Sequence, residues 1–271
     1  MGILNQIYRG AKTNMLRKNF IKEKLYSGQK VLGTWNIIPS SVVVDIICST
    51  GLDFIIIDAE HGPISFETAQ EIIFSCESRS VSPLMRVGKI DESEILKALD
   101  IGVHGIQIPN VNTVDDVKKI INFSKYPPTG NRGFSPFNRA GNYSIDNSTV
   151  LTKDANDNTL IGINIEGSEA IKNIDEILKI DELDLIFIGL FDLSKSLGIP
   201  GQVDNKIVLK QLELLTRKIL DAGKYPGTIA TSPEKLDYFS SLDMRFILYL
   251  VDCEMLRSPY KNIVDIFENF K

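Results

Sequence analysis

A (β/α)8 barrel is the fold this sequence predicts, and three observations predict it. Short segments rich in Val, Ile, Leu and Phe alternate with helical segments eight times along the chain. The length, 271 residues, is close to the ~250 typical of that architecture. Polar groups collect just past the C-terminal ends of several apolar segments, where such barrels carry their chemistry. An open doubly wound sheet is the main rival. No Gly-x-Gly-x-x-Gly follows the first strand, which weakens its dinucleotide-binding form.

The strands are expected at 31–36, 53–58, 83–87, 104–109, 160–165, 184–189, 226–231 and 245–251. Each is short and apolar, as a strand buried on both faces should be. Helices are expected near 40–50, 65–79, 91–101, 113–124, 168–180, 205–222, 233–240 and 253–270. The helix near 91–101 opens on Asp91 and Glu92, where the helix dipole favours anions. Within 205–222, Val208, Leu212, Leu215 and Ile219 form one stripe at helical spacing. Asp221-Ala222-Gly223 closes that helix with glycine past its last turn. The reading is one barrel domain over 1–271, with 1–28 an N-terminal helical extension. The polar stretch 125–159 reads as a long loop after strand four, lying over the barrel mouth. It reads either as a surface insertion or as a lid or subunit contact, with Arg132 and Arg139 supplying positive charge.

A net charge of −5 argues against general nucleic-acid binding. No run reaches the roughly 18 apolar residues of a membrane span, and the N-terminus lacks a signal-peptide core. The basic residues between Arg9 and Lys30 read as a solvated helix face. Cys48, Cys76 and Cys253 are scattered and form no Cys-x-x-Cys pair, which predicts a reducing, cytoplasmic compartment and no disulfide.

The strand ends carry the candidate site. Phe54-Ile55-Ile56-Ile57 runs into Asp58-Ala59-Glu60-His61, with one of only two histidines in the chain. Leu84-Met85 leads to Arg86, Ile161-Gly162-Ile163 to Asn164 and Glu166, and Leu185–Ile188 to Gly189 and Asp192. Glu166 and Asp192 suit a hard divalent cation such as Mg2+ or Mn2+, leaving positions for water and substrate oxygens. Such a cation would chelate a 2-oxo acid and act as a Lewis acid on its carbonyl. Ordinary solvated or ion-paired carboxylates remain the alternative on these residues alone. Arg86 offers a planar fork for a carboxylate or enolate oxygen, or else an internal salt bridge with Asp58 or Glu60. His61 can move a proton near neutral pH. His104 begins strand four, at the stability face, and reads as structural. No lysine ends a strand, and Lys89 sits in a polar turn, which favours a metal over Schiff-base chemistry.

These residues resemble the HpcH/HpaI aldolase family of metal-dependent class II pyruvate aldolases. The markers are Val31-Leu32-Gly33-Thr34-Trp35, Asp58-Ala59-Glu60-His61-Gly62-Pro63, Leu99-Asp100-Ile101-Gly102 and the run from Tyr126 to Gly133. Ile165-Glu166 and the run from Phe187 to Ser194 complete them, and the resemblance covers about residue 16 to the C-terminus. It implies a barrel that exchanges its last helix between subunits, commonly in a hexamer. It implies reversible cleavage of a 4-hydroxy-2-oxo acid to pyruvate and an aldehyde through a metal-stabilised enolate. By resemblance, Glu166 and Asp192 hold Mg2+ or Mn2+, with Co2+ also tolerated. Arg86 holds the keto or enolate oxygen, His61 with Asp100 forms the acid–base pair through water, and Asp58 and Glu60 support the metal-bound waters. Backbone N–H groups near Phe191 and Asp192 meet the pyruvate carboxylate.

Two positions depart from the family pattern. Asn164 stands where Gln is usual, one methylene shorter, which shifts any contact with substrate or a metal-bound water. Leu190-Phe191 stands where Pro-Ala is usual, and the phenyl ring reshapes the pyruvate pocket. A related lyase or decarboxylase acting on another 2-oxo acid or acyl-CoA ester, and a non-catalytic ligand-binding barrel, are the competing readings.

Overall fold

Eight parallel strands pair in sequence order and close on themselves, β1 against β8. The computed structural model describes residues 19–145 and 148–270. The strands are β1 (Val31–Asn36), β2 (Phe54–Asp58), β3 (Ser82–Arg86), β4 (Gly105–Ile108), β5 (Leu160–Ile165), β6 (Leu185–Ile188), β7 (Tyr225–Ala230) and β8 (Phe246–Val251). Their bounds differ from those expected by at most one residue.

The helices around them are α1 (Phe20–Tyr26), α2 (Ser41–Cys48), α3 (Phe66–Ser78), α4 (Glu92–Asp100), α5 (Val114–Ser124) and α6 (Ser148–Asn158). After β5 come α7 (Ser168–Ile177), α8 (Leu190–Ser196), α9 (Lys206–Asp221), α10 (Pro233–Ser241) and α11 (Asp252–Glu268). Ser40, Ser65, Asp91, Thr113 and Ser232 each accept the backbone N–H three residues on, which starts α2, α3, α4, α5 and α10. Each such cap stabilises its helix by about 1 kcal/mol. Gly223 takes the left-handed conformation (φ 73°) that ends α9.

Alternation along each strand divides the core in two. Ile55 and Ile57 face the helix layer, with Met85, Ile106, Ile161 and Ile163. Phe54 and Ile56 face inward, with Leu84, Leu160, Leu185, Phe187, Phe246 and Leu248. Period two therefore turns Asp58 and Arg86 inward at the upper rim, one step beyond Ile56 and Leu84. Ile21 and Leu25 of α1 pack into the inner cluster. They close the lower end, where the strands begin.

Three expectations are corrected. The segment 125–159 follows α5, not β4, so α5 has already carried the chain back to the lower end. There Lys125 Nζ donates to Asn156 O (2.6 Å) and Thr159 O (3.2 Å), and Arg139 Nη1 donates to Ile101 O (3.1 Å). It is not a bare loop either: α6 packs on Leu151 and Ala155, one turn apart. The basic N-terminal face is not wholly solvated, since Lys22 is buried and donates to Thr159 O and Asp184. Residues 1–18 of the expected extension lie outside the described residues. Among the described residues, no helix is long and apolar enough to cross a membrane.

The last helix is unusual. Only Asp252, its first residue, is buried, while Leu256, Tyr260, Ile263, Val264 and Phe267 are all more than half exposed. Beside its base lies an apolar groove of about 630 Å³, lined by Leu32, Val43, Ile46, Leu52, Leu236 and Met255 among others.

Candidate active site

The upper rim holds a fixed guanidinium. Arg86 Nε and Nη2 donate to the two oxygens of Asp58 at 2.9 and 2.5 Å, a fork made possible because Asp58 and Arg86 are register partners on β2 and β3. The Arg86 carbon Cζ lies 4.0 Å from the ring centroid of Trp35, on β1. Trp35 is itself held edge-on by Phe187 at 5.9 Å. Glu60 Oε2 faces Nη1 at 3.1 Å as an ion pair. The internal salt bridge thus forms, Asp58 taking the Nε–Nη2 edge and Glu60 facing Nη1.

Asp58 is buried, and its Oδ1 is fully engaged. Besides Arg86, its Oδ1 accepts the backbone N–H groups of Glu60 (3.0 Å) and His61 (3.3 Å), folding the Asp58–His61 turn over the strand end. It orients Arg86, and its Oδ2 accepts from Arg86 Nη2 alone. Glu60 is less settled. Burial pushes its carboxyl above the usual range, Arg86 and His61 pull it back, and Glu166 and Asp58 push further. His61 projects outward, its side chain 71 % exposed, with Nε2 at 3.9 Å from Glu60 Oε2.

A chain of amides crosses the rim. Asn164 Nδ2 donates to Glu166 Oε1 at 2.9 Å, and Asn164 Oδ1 accepts from Gln107 Nε2. Glu166 Oε2 accepts the backbone N–H of Asn110 at 3.2 Å. Asn110 sits in the left-handed region (φ 56°), which Asn tolerates better than most residues. Asn164 is 1 % exposed, so it lies beneath the rim rather than on it.

Glu166 and Asp192 follow neighbouring strands, β5 and β6. A Cβ on Gly189, which caps α8, would stand 3.3 Å from Glu166 Cγ, and Asp192 lies in the first turn of α8. The Asp192 carboxylate is exposed and makes no hydrogen bond or ion pair among the described residues. Phe191 beside it is 53 % exposed. Among the described residues no three His, Cys, Asp or Glu side chains converge as a metal cluster. The donor set is therefore two carboxylates, all oxygen, with Glu60 Oε2 buried and lacking a hydrogen bond nearby. That set fits a hard cation that keeps several waters.

Buried atoms without hydrogen bonds segregate by sign. Among the described residues the acceptors are Asn36 Oδ1, Glu60 Oε2 and Gln107 Oε1, all at the upper rim. The donors are Nε of Arg132, Arg139 and Arg245, all at the lower end. Glu60 Oε2 has the Arg86 cation at 3.1 Å, which leaves Asn36 Oδ1 and Gln107 Oε1 as the rim acceptors without a donor among the described residues.

Asp100 is the residue the fold does not deliver. It ends α4 and so lies at the lower end, held by Arg132 Nη2 at 2.7 Å. His61 follows β2 at the upper rim, so one chain does not pair the two. His104 is structural, with Nδ1 at 3.2 Å from Ser82 Oγ and Nε2 at 3.3 Å from Glu77. Sequence reasoning missed Gln107, Trp35 and Asn110. Gln107 had a visible signal, a lone amide inside the apolar strand Gly105–Ile108.

Comparison with known proteins agrees with this architecture. A family model described as HpcH/HpaI aldolase/citrate lyase matches residues 33–254. A 2-keto-3-deoxy-L-rhamnonate aldolase from Escherichia coli O17:K52:H18 (strain UMN026 / ExPEC) is 29% identical, covering 95% of this chain and 96% of that protein. The crystal structure of an HpcH/HpaI aldolase from Desulfitobacterium hafniense DCB-2 superposes with a TM-score of 0.87 at 28% identity, covering 92% of this chain and 96% of that one. Citrate synthase SbnG superposes with a TM-score of 0.83 at 28% identity, covering 93% and 99%.

Proposed function

The chain belongs to the HpcH/HpaI aldolase/citrate lyase family and is an aldolase, a carbon–carbon lyase; from that premise we propose which compound it cleaves and which residues act. The substrate is a 4-hydroxy-2-oxo acid, cleaved reversibly to pyruvate and an aldehyde. A 2-keto-3-deoxy sugar acid, the substrate named for the rhamnonate aldolase, is one such compound. The observation that carries this reading is an Arg86 fork oriented by Asp58 at the same rim as Glu166 and Asp192.

Glu166 and Asp192 hold a divalent cation, Mg2+ or Mn2+, with Co2+ a further candidate. When bound, the cation supplies Lewis-acid polarisation of the 2-oxo carbonyl. Arg86 holds the negative charge that develops on that oxygen with Nη1, the nitrogen that Asp58 leaves and that Glu60 Oε2 faces at 3.1 Å. Asp58 and Trp35 fix the guanidinium so that no reorganisation is needed as charge develops. The first backbone N–H groups of α8, near Phe191 and Asp192, receive the substrate carboxylate. Phe191 bounds the pocket on that side. His61 moves the proton of the 4-hydroxyl, through water, and its exposure allows this.

The acid–base pair needs Asp100, which lies partly exposed at the other end of the barrel, so it comes from a second subunit. The exposed apolar stripe of α11 and the groove at its base support the same assembly, with α11 exchanged between copies. A homo-oligomer, hexameric by resemblance, then completes each site. The three free thiols suit the cytoplasm.

The test is proton NMR of pyruvate in D2O with the purified protein, with Mg2+ or Mn2+ and then with chelator. Loss of the methyl signal only when metal is present is the expected result. An unchanged methyl signal, with the protein folded and metal bound, would overturn pyruvate as the donor.

A further inference from the structure

We infer that Gln107 is a positioning residue for Glu166, acting through Asn164, and that the amide pair exists to aim the metal-binding carboxylate. The inference rests on the assignment of Glu166 as a metal ligand. It adds a residue that neither the motifs nor the relatives' names point to.

The argument begins with hydrogen-bond polarity. A carboxylate only accepts, so the Asn164 group that meets Glu166 Oε1 at 2.9 Å is its NH2. Asn164 Oδ1 must then face the other way, toward Gln107, and Gln107 must present its own NH2. Each orientation follows from the one before, and all follow from Glu166. The last atom in the chain, Gln107 Oε1, is buried with no partner. Gln107 itself is fully buried.

An unpaired buried acceptor is destabilising. Leucine at 107 would fill similar space without adding that acceptor. The amide therefore does not serve packing. Its one described hydrogen bond goes to Asn164, whose own donor goes to the carboxylate. The opposite oxygen of Glu166 is held by Asn110 N–H at 3.2 Å. Glu166 is thus gripped from both sides, and neither rotation nor withdrawal is open to it without breaking a bond. Removing Gln107 frees Asn164 to turn, and the Asn164 oxygen then competes for the space beside Glu166.

Register explains why the pair spans two strands. Gln107 lies beside Arg86 on β3 and Gly162 on β5. A Cβ on Gly162 would stand 3.1 Å from Leu185 Cδ2, and Asn164 stands one inward position above Gly162. The longer amide reaches up from β4 to the shorter one on β5.

The experiment titrates Mn2+ into the full-length wild type, Gln107→Leu, Gln107→Asn and Glu166→Gln, reading free Mn2+ by EPR, with melting temperature in parallel. In Gln107→Leu one orphan acceptor is lost and another, Asn164 Oδ1, is created. The melting temperature should therefore stay within about 3 °C. The dissociation constant for Mn2+ should rise about tenfold, the usual effect of removing a group that orients a ligand. Gln107→Asn, too short to reach Asn164, should show the same loss and serves if the leucine variant does not fold. Binding within about twofold of wild type in a folded Gln107 variant, with Glu166→Gln impaired, would overturn the positioning role alone. Unimpaired binding in Glu166→Gln would instead remove the metal assignment, and this inference with it.

Discussion

Asp58 and Arg86 form a two-pronged ion pair, 2.9 and 2.5 Å, between register partners on adjacent strands, and Asp58 has no other side chain to serve. Both are largely buried, at 3% and 12% side-chain exposure. Breaking a buried pair leaves an uncompensated charge, which typically costs about 3–5 kcal/mol. Asp58→Ala should therefore lower the melting temperature by about 10 °C. Arg86→Leu should destabilise less than Asp58→Ala, because Asp58 keeps its two backbone donors. In the double variant the loss should be smaller than the sum of the singles, and thermal melts of all four proteins measure that coupling. Strict additivity would mean the pair does not hold Arg86. Pyruvate exchange should be lost in every variant lacking Arg86.

Phe191 is over half exposed on the first turn of α8, so removing its ring costs the fold little. Phe191→Ala should melt within about 2 °C of wild type. If the ring bounds the donor pocket, the variant should improve on 2-oxobutanoate relative to pyruvate. One methylene in such a pocket is worth about tenfold or more in kcat/KM. Exchange rates for the two acids, taken as a ratio, decide the point. An unchanged ratio would remove Phe191 from the pocket wall.

What was legible in the sequence is what depends on neighbours along the chain. Ile55 and Ile57 alternate with Ile56, so the run ending at Asp58 already gave the strand and its upper end. Arg86, Asn164 and Glu166 followed by the same logic. Contacts between strands were hidden. Trp35 stacks on Arg86 from β1, two strands away, and nothing local announces that. Gln107 was absorbed into an apolar strand because its neighbours Ile106 and Ile108 dominate the pattern. Asp100 was read from the family motif, and the motif says nothing about which end of the barrel it occupies. The segment after α5 was misplaced because a helix had reversed the chain before it began. Within it α6 went unread because only Leu151 and Ala155 mark its buried side.

The exposed stripe of α11 predicts assembly. Ile263 is 61% exposed and Tyr260 70% exposed on a helix whose sole buried residue is Asp252. Ile263→Asp should leave the barrel folded but shift sedimentation velocity toward a smaller species, with exchange activity falling alongside. A wild-type chain that sediments as a monomer would refute helix exchange outright.

Lys125 supplies a pH signature at the lower end. Burial pushes its ammonium down to about 8, and Lys22 adds to that, against smaller opposing pulls from Asp184, Asp157 and Glu182. The folded value lies below the ordinary 10.5, so the folded state sheds this proton first. Stability from this group is therefore fully present above pH 10.5 and is lost as pH falls through about 8. Lys125→Met removes the effect. The wild-type minus variant stability should rise between those values by up to roughly 3 kcal/mol, measured by urea melts at each pH. A flat difference would show that Lys125 titrates normally.

His61 and Asp100 sit at opposite ends of one barrel, which turns a family pairing into a prediction about subunits. Asp100 uses Oδ1 on Arg132 Nη2 at 2.7 Å and stays partly exposed, 24% at its side chain. It is a fixed, partly exposed carboxylate at the lower end. His61 is an exposed imidazole whose nearest carboxylate, Glu60, is 3.9 Å away. If the two pair only across subunits, His61→Ala and Asp100→Asn are each deficient in aldol cleavage by about 10²-fold or more. Mixing them after reversible dissociation creates some sites with a native His61 from one chain and a native Asp100 from the other. Those hybrid sites should recover activity up to about a quarter of wild type if chains mix at random and each site draws on two. Recovery that appears only after dissociation and remixing, and not on simple addition, locates the pair at the interface. No recovery, with mixed oligomers demonstrated by tagged pull-down, would show that His61 works without Asp100.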